Sequence, residues 1–213
     1  MSQPVAFQFS KASCVALGSF NIYIIQPAWL TRVGILPKDT PIVIEANMAR
    51  PGFRLSSPEM STVWFVSPGK LAIESKREGP DCGEQMAAVL SKLPETPVYG
   101  LGNNVLFQAS RVGLEPFPSL EACANVVVEP GGYTKKRHVF ATTLERDGRA
   151  FSLQLTVGSE LVELSGNAHL QLTGDGTTEV AARAAAGFRA DSRVLADLFG
   201  EALGVRIENV ASH

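Results

Sequence analysis

The chain has 213 residues, of which 45% are apolar and 19% are charged, and its formal net charge is −2. A chain of this length can bury most of its apolar surface in one globular domain without disulfide or metal staples. The near-neutral charge gives no global field that would attract nucleic acid or a membrane surface. The longest apolar runs are also far shorter than the ~20 residues needed to span a bilayer.

The three cysteines, Cys14, Cys82 and Cys123, are too widely spaced for a disulfide framework or a C-x-x-C zinc site. We expect free, buried thiols in a reducing compartment. The first residues do not combine a basic region with an apolar core, so we expect no signal peptide. These features predict a cytoplasmic protein.

The first part of the chain is predicted to form short strands separated by proline and glycine. The parity of the apolar residues changes at Gly18, where we expect a β-bulge because glycine tolerates the required backbone. Pro27 is expected to begin a short helix. Ile42–Met48 alternates apolar and polar residues and predicts a half-buried strand. With little charge to protect an edge, this strand is expected to be central or covered by a second copy.

A hairpin, a helix and a further strand are predicted next. Ser67–Lys70 is typical of a type II turn, in which Gly69 supplies a positive φ. Asp81 is expected to cap a helix over Cys82–Leu93, whose apolar residues fall on one face. The apolar, Gly/Asn-rich run Val98–Phe107 then predicts a strand.

The second half predicts a three-stranded antiparallel meander. Asp147–Gly148 is a strong hairpin signal. The segments Phe151–Val157 and Val162–Leu172 alternate apolar and polar residues, which gives the sheet one apolar and one polar face. A final amphipathic helix is expected over Asp191–Leu203, and Gly204 is a suitable residue to end it.

Together these elements predict an α+β fold, with an antiparallel sheet built of hairpins and a meander and a few helices packed on one face. We expect a single domain over residues 1–213. The two halves share an order of elements, with strands, one amphipathic helix and a strand. This order leaves open two pseudo-repeated subdomains, 1–112 and 122–213, with a pseudo-repeat around Gly113–Glu121.

Two groups of polar residues are candidates for ligand binding. Glu163, Asn167 and His169 lie on the polar face of the predicted meander. If this face lines a cleft, His169 is the best available general base, since imidazole exchanges protons near neutral pH; otherwise it is a solvent-facing histidine. Asn103 and Asn104 could present amides to a ligand at a strand end, or simply belong to a strand with close backbone approach.

The most suggestive loop is Glu129–His138, which combines glycines with cations. Exposed glycine amides beside cations can form an anion-binding concavity for phosphate or sulfate. The candidate residues are Gly131, Gly132, Lys135, Lys136 and Arg137. The alternative is a hairpin connection with solvated cations. A nucleic-acid reader would show a wider basic field with interleaved aromatic residues, so nucleic-acid contact is disfavoured.

No established catalytic motif occurs in the sequence. The P-loop pattern and the Gly-x-Ser-x-Gly elbow are absent. His, Cys, Asp and Glu do not show the spacing of metal ligands, apart from ordinary surface acids. The sequence therefore predicts no metal and no cofactor, and it favours a non-enzymatic function.

Two segments, Trp64–Ile73 and Leu93–Phe107, resemble a pattern of small uncharacterised bacterial and phage-related α+β proteins. The residues that carry the resemblance are turn and packing residues. The resemblance implies a bacterial, cytoplasmic α+β domain and attaches no activity to it.

Three functions are compatible with these observations. The first is a non-enzymatic binding or assembly module that acts through the polar sheet face or an exposed edge, as a homodimer or with another protein as partner. The second is a small-molecule enzyme or binder with a pocket between sheet and helices. The third is a weak phosphate or nucleic-acid contact through the loop Gly131–His138.

Overall fold

The computed structural model describes residues 6–46, 49, 51–111, 137–174 and 177–208. In these residues, ten strands form one open, mostly antiparallel sheet that is accompanied by four helices. The strands are β1 (Ala6–Gly18), β2 (Val43–Ala46), β3 (Phe53–Ser56), β4 (Thr62–Ser67), β5 (Lys70–Ser75), β6 (Val98–Ser110), β7 (His138–Arg146), β8 (Arg149–Val157), β9 (Leu161–Gln171) and β10 (Arg206–Ile207). The helices are α1 (Pro27–Arg32), α2 (Cys82–Leu90), α3 (Thr177–Ala186) and α4 (Phe188–Leu203).

The strand order across the sheet is β2-β3-β4-β5-β1-β6-β9-β8-β7, and β10 pairs in parallel with the start of β1. The two long strands β1 and β6 lie side by side near the middle of the sheet. Two meanders, β2–β5 and β7–β9, extend the sheet in opposite directions, so β2 and β7 are its edges. The predicted α+β class with an antiparallel sheet is confirmed.

One face of the sheet packs against the helices, and we call it the helix face. Gly166 in β9 approaches Leu195 and Phe199 of α4 so closely that an added Cβ would lie 3.1–3.3 Å from their side chains. Thr62 in β4 donates to Gln85 of α2 at 3.0 Å. The apolar residues that share this parity along the strands form the core with the helices; among them are Cys14, Leu55, Trp64, Ile73, Leu101, Phe107, Leu153 and Leu164.

The turns and helix ends follow the local sequence closely, with two corrections. The bulge at Gly18 is present, but the strand ends there, and a second bulge lies between Phe9 and Lys11. The predicted hairpin turn joins β4 to β5, but Gly69 lacks the positive φ that a type II turn requires. Asp81 caps α2 as predicted, and Gly204 ends α4 in the left-handed conformation.

One helix was not predicted. The sequence pattern predicted a single helix from Asp191 onwards, whereas the structure has α3 from Thr177 and begins α4 earlier, at Phe188. The sheet itself is continuous between the two halves of the chain, because β6 pairs with β1 on one side and with β9 on the other. The segment Gly113–Glu121, where a pseudo-repeat was considered, lies outside the described residues.

Among the described residues, none of the helices combines the length and apolar character needed to cross a membrane.

Candidate functional site

The sheet face opposite α2 and α4, which we call the polar face, carries a row of polar residues in direct register across five strands. The row runs through Ser13, Asn104, Asn167, Ser152 and Thr143. The amide of Asn104 donates to the backbone and hydroxyl oxygens of Ser13 at 3.3 Å, and Asn167 donates to Asn104 at 2.5 Å. The hydroxyls of Ser152 and Thr143 lie 3.1 Å apart. The row ends at β7, so it leads to an edge of the sheet.

Two glycines in β6 make room for the candidate ligand-binding residues on this face. An added Cβ on Gly100 would lie 3.2 Å from the His169 ring, and one on Gly102 would lie 3.0 Å from the Asn167 amide. The side chains of His169 and Asn167 therefore lie over the backbone of β6 at these two glycines. Nε2 of His169 is 3.4 Å from the side-chain oxygen of Gln171. The structure thus brings His169, Asn167 and Asn104 together.

Glu163 lies on the same face, further along β9, and accepts a hydrogen bond from Gln108 at 2.7 Å. The register places it opposite Gln108 and Thr156, six residues away from His169. Glu163 is therefore paired with an amide and is not adjacent to the group formed by Asn104, Asn167 and His169.

Asn103 lies on the opposite side of the sheet from Asn104, because neighbouring residues of a strand point to opposite faces. It is 2% exposed and donates to the carboxylate of Asp191 in α4 at 2.7 Å. Arg149 in β8 pairs with the other oxygen of that carboxylate. The side-chain oxygen of Asn103 is buried and has no hydrogen-bond partner among the described residues. The structure thus separates the two neighbouring asparagines.

The anion-binding candidates fall almost entirely outside the described part of the chain. Gly131, Gly132, Lys135 and Lys136 lie in the segment 112–136, and of this group the structure describes Arg137 alone, which is exposed.

A small cavity lies between the helix face and α4. Its volume is about 50 Å³, and Phe9, Val105, Phe107, Phe188 and Ser192 are among the residues that line it. Typical small-molecule sites have volumes of about 300–1,000 Å³. His169 and Glu163 lie on the other side of the sheet, so the best candidate base does not reach this cavity.

A wider, shallow hollow of about 370 Å³ lies on the polar face beside β3 and β4. Arg54 and Phe65 contribute to it, with the guanidinium carbon 5.9 Å from the centre of the ring. Arg54 also forms an ion pair with Glu45 at 2.7 Å, so its charge already has a partner within the chain.

In the described ranges, no group of three or more His, Cys, Asp or Glu residues could hold a metal ion.

The two cysteines that the structure describes, Cys14 and Cys82, are free and buried. Burial raises the pKa of Cys14 well above its ordinary value. The nearby Cys82 thiol and the Asp81 and Asp191 carboxylates act in the same direction and contribute less. Burial and the adjacent Asp81 carboxylate raise the pKa of Cys82 to about 12. Both groups are therefore protonated near neutral pH and are poor nucleophiles.

The two edge strands differ in length and character. β2 has four residues, all of them exposed, and it includes Glu45. β7 has nine residues, and its central part Val139–Leu144 contains no charged side chain and no proline. Val139 and Leu144 are 46% and 43% exposed. Among the described residues, each of these strands pairs on one side only, β2 with β3 and β7 with β8.

Ile42–Met48 was predicted to be a half-buried strand that is central or covered by a second copy. Within one chain its strand β2 instead lies at an edge with all four residues exposed, and the edge position of β7 was not predicted. The uncharged run Val139–Leu144 is visible in the sequence. Its position at an edge is not visible, because strand order depends on pairing between distant segments.

No protein-family model matches the chain, and a search of curated proteins finds no similar sequence.

Proposed function

We propose that this chain is a non-enzymatic assembly module that adds a further β-strand at an exposed edge of its sheet and thereby forms a symmetric homodimer. The observation that supports this proposal most strongly is the outer edge of β7. A strand of nine residues presents a row of backbone N–H and C=O groups that have no strand partner on that side among the described residues.

β7 lacks the features that usually protect an edge strand. Proteins protect such strands with lysines, prolines, bulges or very short strand lengths. In β7 the register with β8 is unbroken from His138 to Arg146, and the charged residues Glu145 and Arg146 lie at one end. The strand is also rich in β-branched and aromatic residues, which favour pairing. β2 is a weaker candidate, because it is short and carries Glu45.

An enzyme or binder with a pocket between sheet and helices is the alternative function. The cavity on that side holds about 50 Å³, which is well below the size of a typical ligand site. The polar face offers His169, but its side chain lies over Gly100 and beside Gln171, and the shallow hollow on that face is lined by other residues, among them Arg54 and Phe65. These observations favour assembly. The third candidate, a phosphate or nucleic-acid contact, depends on residues that lie almost wholly in 112–136.

The proposed setting is the bacterial cytoplasm. The resemblance of Trp64–Ile73 and Leu93–Phe107 to bacterial and phage-related proteins supports it. The free, buried state of Cys14 and Cys82 also supports a reducing compartment.

Sedimentation velocity over a wide concentration range tests the proposal. The parent chain is expected to show a monomer–dimer equilibrium. The double variant Ala141→Lys with Thr143→Lys is expected to raise the dissociation constant by more than about tenfold, because lysines on an edge strand oppose strand addition.

The matched control is Ser165→Lys with Gln171→Lys, which adds the same charge to the same face on the inner strand β9. This control is expected to dimerise like the parent. A parent chain that stays monomeric at every concentration would overturn the assembly function. A dimer that dissociates on Val43→Lys and not on the β7 double variant would overturn the assignment to β7.

A further inference from the structure

We infer that the strand added to β7 is β7 of a second copy, paired antiparallel about a two-fold axis that passes through Thr142. This inference rests on the proposed function and deepens it, since it specifies the segment of the partner, its direction and its register.

Symmetry restricts the registers that are available. In an antiparallel pair, side chains directly opposite each other lie on the same face of the sheet. A two-fold axis perpendicular to the sheet keeps the helix faces of both copies on one side. The axis must then pass between two copies of the same residue, such as Ala141, Thr142 or Thr143.

The register centred on Thr142 pairs the whole strand, because Thr142 is the midpoint of the nine-residue strand His138–Arg146. On the helix face it places Phe140 opposite the partner's Leu144, and Leu144 opposite the partner's Phe140. The two copies of Thr142 face each other at the axis. Thr–Thr pairs across two strands stabilise a sheet, and the facing Phe140 and Leu144 side chains would bury apolar surface.

The exposure of apolar side chains on β7 supports the register centred on Thr142. Leu144 is 43% exposed and Phe140 is half-buried, so both retain apolar surface that a neighbouring strand would cover. On the polar face, Val139 is 46% exposed and would lie beside the aliphatic part of the partner's Glu145. At the strand ends, His138 lies opposite the partner's Arg146.

Neighbouring registers pair the strand less well. An axis at Thr143 places Phe140 opposite the partner's Arg146, and it leaves His138 and Val139 unpaired within the strand. An axis at Ala141 places Phe140 opposite the partner's Thr142, and it leaves Glu145 and Arg146 unpaired. An axis at Glu145 brings two carboxylates face to face, which is destabilising.

Two other occupants of the edge would have different consequences. The segment 112–136 of the same chain directly precedes β7, and if it covered the edge, self-pairing would be blocked at every concentration. If β2 of the next copy occupied the edge, the contact would be heterologous and would lead to rings or open polymers instead of a closed dimer.

Cysteine cross-linking distinguishes these arrangements. The variants Thr142→Cys, Ala141→Cys and Thr143→Cys are made in a Cys123→Ser background, where Cys14 and Cys82 remain as buried thiols. Directly opposite residues have Cα atoms about 4.5–5.5 Å apart, within the range of a relaxed disulfide. Diagonal neighbours are about 7–8 Å apart, which exceeds that range.

Under mild oxidation, Thr142→Cys alone is expected to form a disulfide-linked dimer at least about tenfold faster than Ala141→Cys alone or Thr143→Cys alone. An equal mixture of Ala141→Cys and Thr143→Cys is expected to cross-link rapidly, because these positions face each other. The background chain without an added cysteine is the control, and it should remain uncross-linked.

Faster cross-linking of Ala141→Cys or of Thr143→Cys alone would overturn the register. A parent chain that sediments as a dimer while none of these samples cross-links would overturn self-pairing of β7 and leave assembly through another surface. Sedimentation of the parent chain as species larger than dimers would indicate the heterologous arrangement and would overturn the two-fold axis. A monomeric parent chain would overturn the proposed function together with this inference.

Discussion

Arg189 at the start of α4 donates from Nε to the buried carboxylate of Asp81 at 2.9 Å, and this carboxylate also caps α2. Its other oxygen accepts the backbone N–H groups of Gly83 and Glu84 at 2.9 Å. The Asp81 side chain therefore accepts two N–H groups in the first turn of α2 and also binds Arg189 in the first turn of α4. This contact joins the N-terminal ends of α2 and α4.

Replacing Asp81 by alanine is expected to lower the free energy of unfolding by about 2–4 kcal/mol, because it removes a helix cap and one partner of a partly buried ion pair. Asp81→Asn keeps a capping oxygen and is expected to cost about half as much. Denaturant unfolding measures both changes. The control is Glu179→Ala, which removes the exposed ion pair with Arg183 and should cost less than about 0.5 kcal/mol. Equal losses for Asp81→Ala and this control would contradict the role of the contact.

The apolar stripe of α4 provides a second prediction. Leu195 is fully buried, and its side chain packs over Gly166, whereas Leu198 is only half-buried. Leu195→Ala is expected to cost about 2–5 kcal/mol through lost transfer free energy and a cavity. Leu198→Ala should cost clearly less, at about 1 kcal/mol. Thermal unfolding of the two variants side by side checks this order, and a larger loss for Leu198→Ala would show that the helix is rotated from the orientation described.

A third prediction concerns the close approach of α2 to the junction between α3 and α4. An added Cβ on Gly83 would lie 2.1 Å from the backbone oxygen of Ala185 and 2.3 Å from Cβ of Phe188. Gly83→Ala is therefore expected to cost about 3 kcal/mol, because backbone has to move. In Gly69→Ala the new methyl group has nothing within 4 Å, and stability should change by no more than about 1 kcal/mol. Calorimetry of both variants tests the prediction, which fails if their melting temperatures agree.

The buried thiols predict a dependence of stability on alkaline pH. The pKa of Cys82 rises from an ordinary 9.0 to about 12 on folding, so the unfolded chain loses this proton first as the pH increases. Its contribution to stability is complete below pH 9 and is lost between pH 9 and 12, with a slope of up to about 1.4 kcal/mol per pH unit. Unfolding measured at pH 8, 9 and 10 should therefore converge for the parent and Cys82→Ala as the pH rises. A constant difference between them would contradict the burial of an uncharged thiol.

Local sequence signals predicted the second meander well. The strict alternation of Phe151–Val157 and Val162–Leu172 gives the observed faces of β8 and β9. Asp147 and Gly148 both adopt positive φ values, 53° and 74°, as a type I′ hairpin turn requires. In such segments the face on which a residue lies and the type of turn depend on neighbouring residues in the chain, so both can be read from the local sequence.

Helix α3 was missed because its apolar side is made mostly of alanine. Ala181 and Ala185 are fully buried, but alanines give a weak stripe compared with leucine or phenylalanine. Their high intrinsic helix propensity was the available signal. The opposite orientation of Asn103 and Asn104 was also predictable, since Asn103 shares the parity of Val105 and Phe107, which are core residues.

The identity of the edge strands could not be predicted from local patterns. β1 pairs with β6 across roughly ninety positions of the chain, and this pairing places the second meander so that β7 is outermost. Ile42–Met48 was predicted to need a neighbouring strand on both sides only because it carries little charge to protect an edge. In the structure β2 is an edge strand as well, with Val43 and Ile44 each 50% exposed, although it is shorter than β7.

Pairing of β7 with a strand of a second copy can be measured by amide hydrogen exchange at several protein concentrations. Exchange within Val139–Leu144 is expected to slow as the concentration rises through the dimerisation range, while exchange in β2 and in the inner strands β6 and β9 does not change. Exchange in β7 that is independent of concentration, whether fast or slow, would show that β7 does not pair between copies.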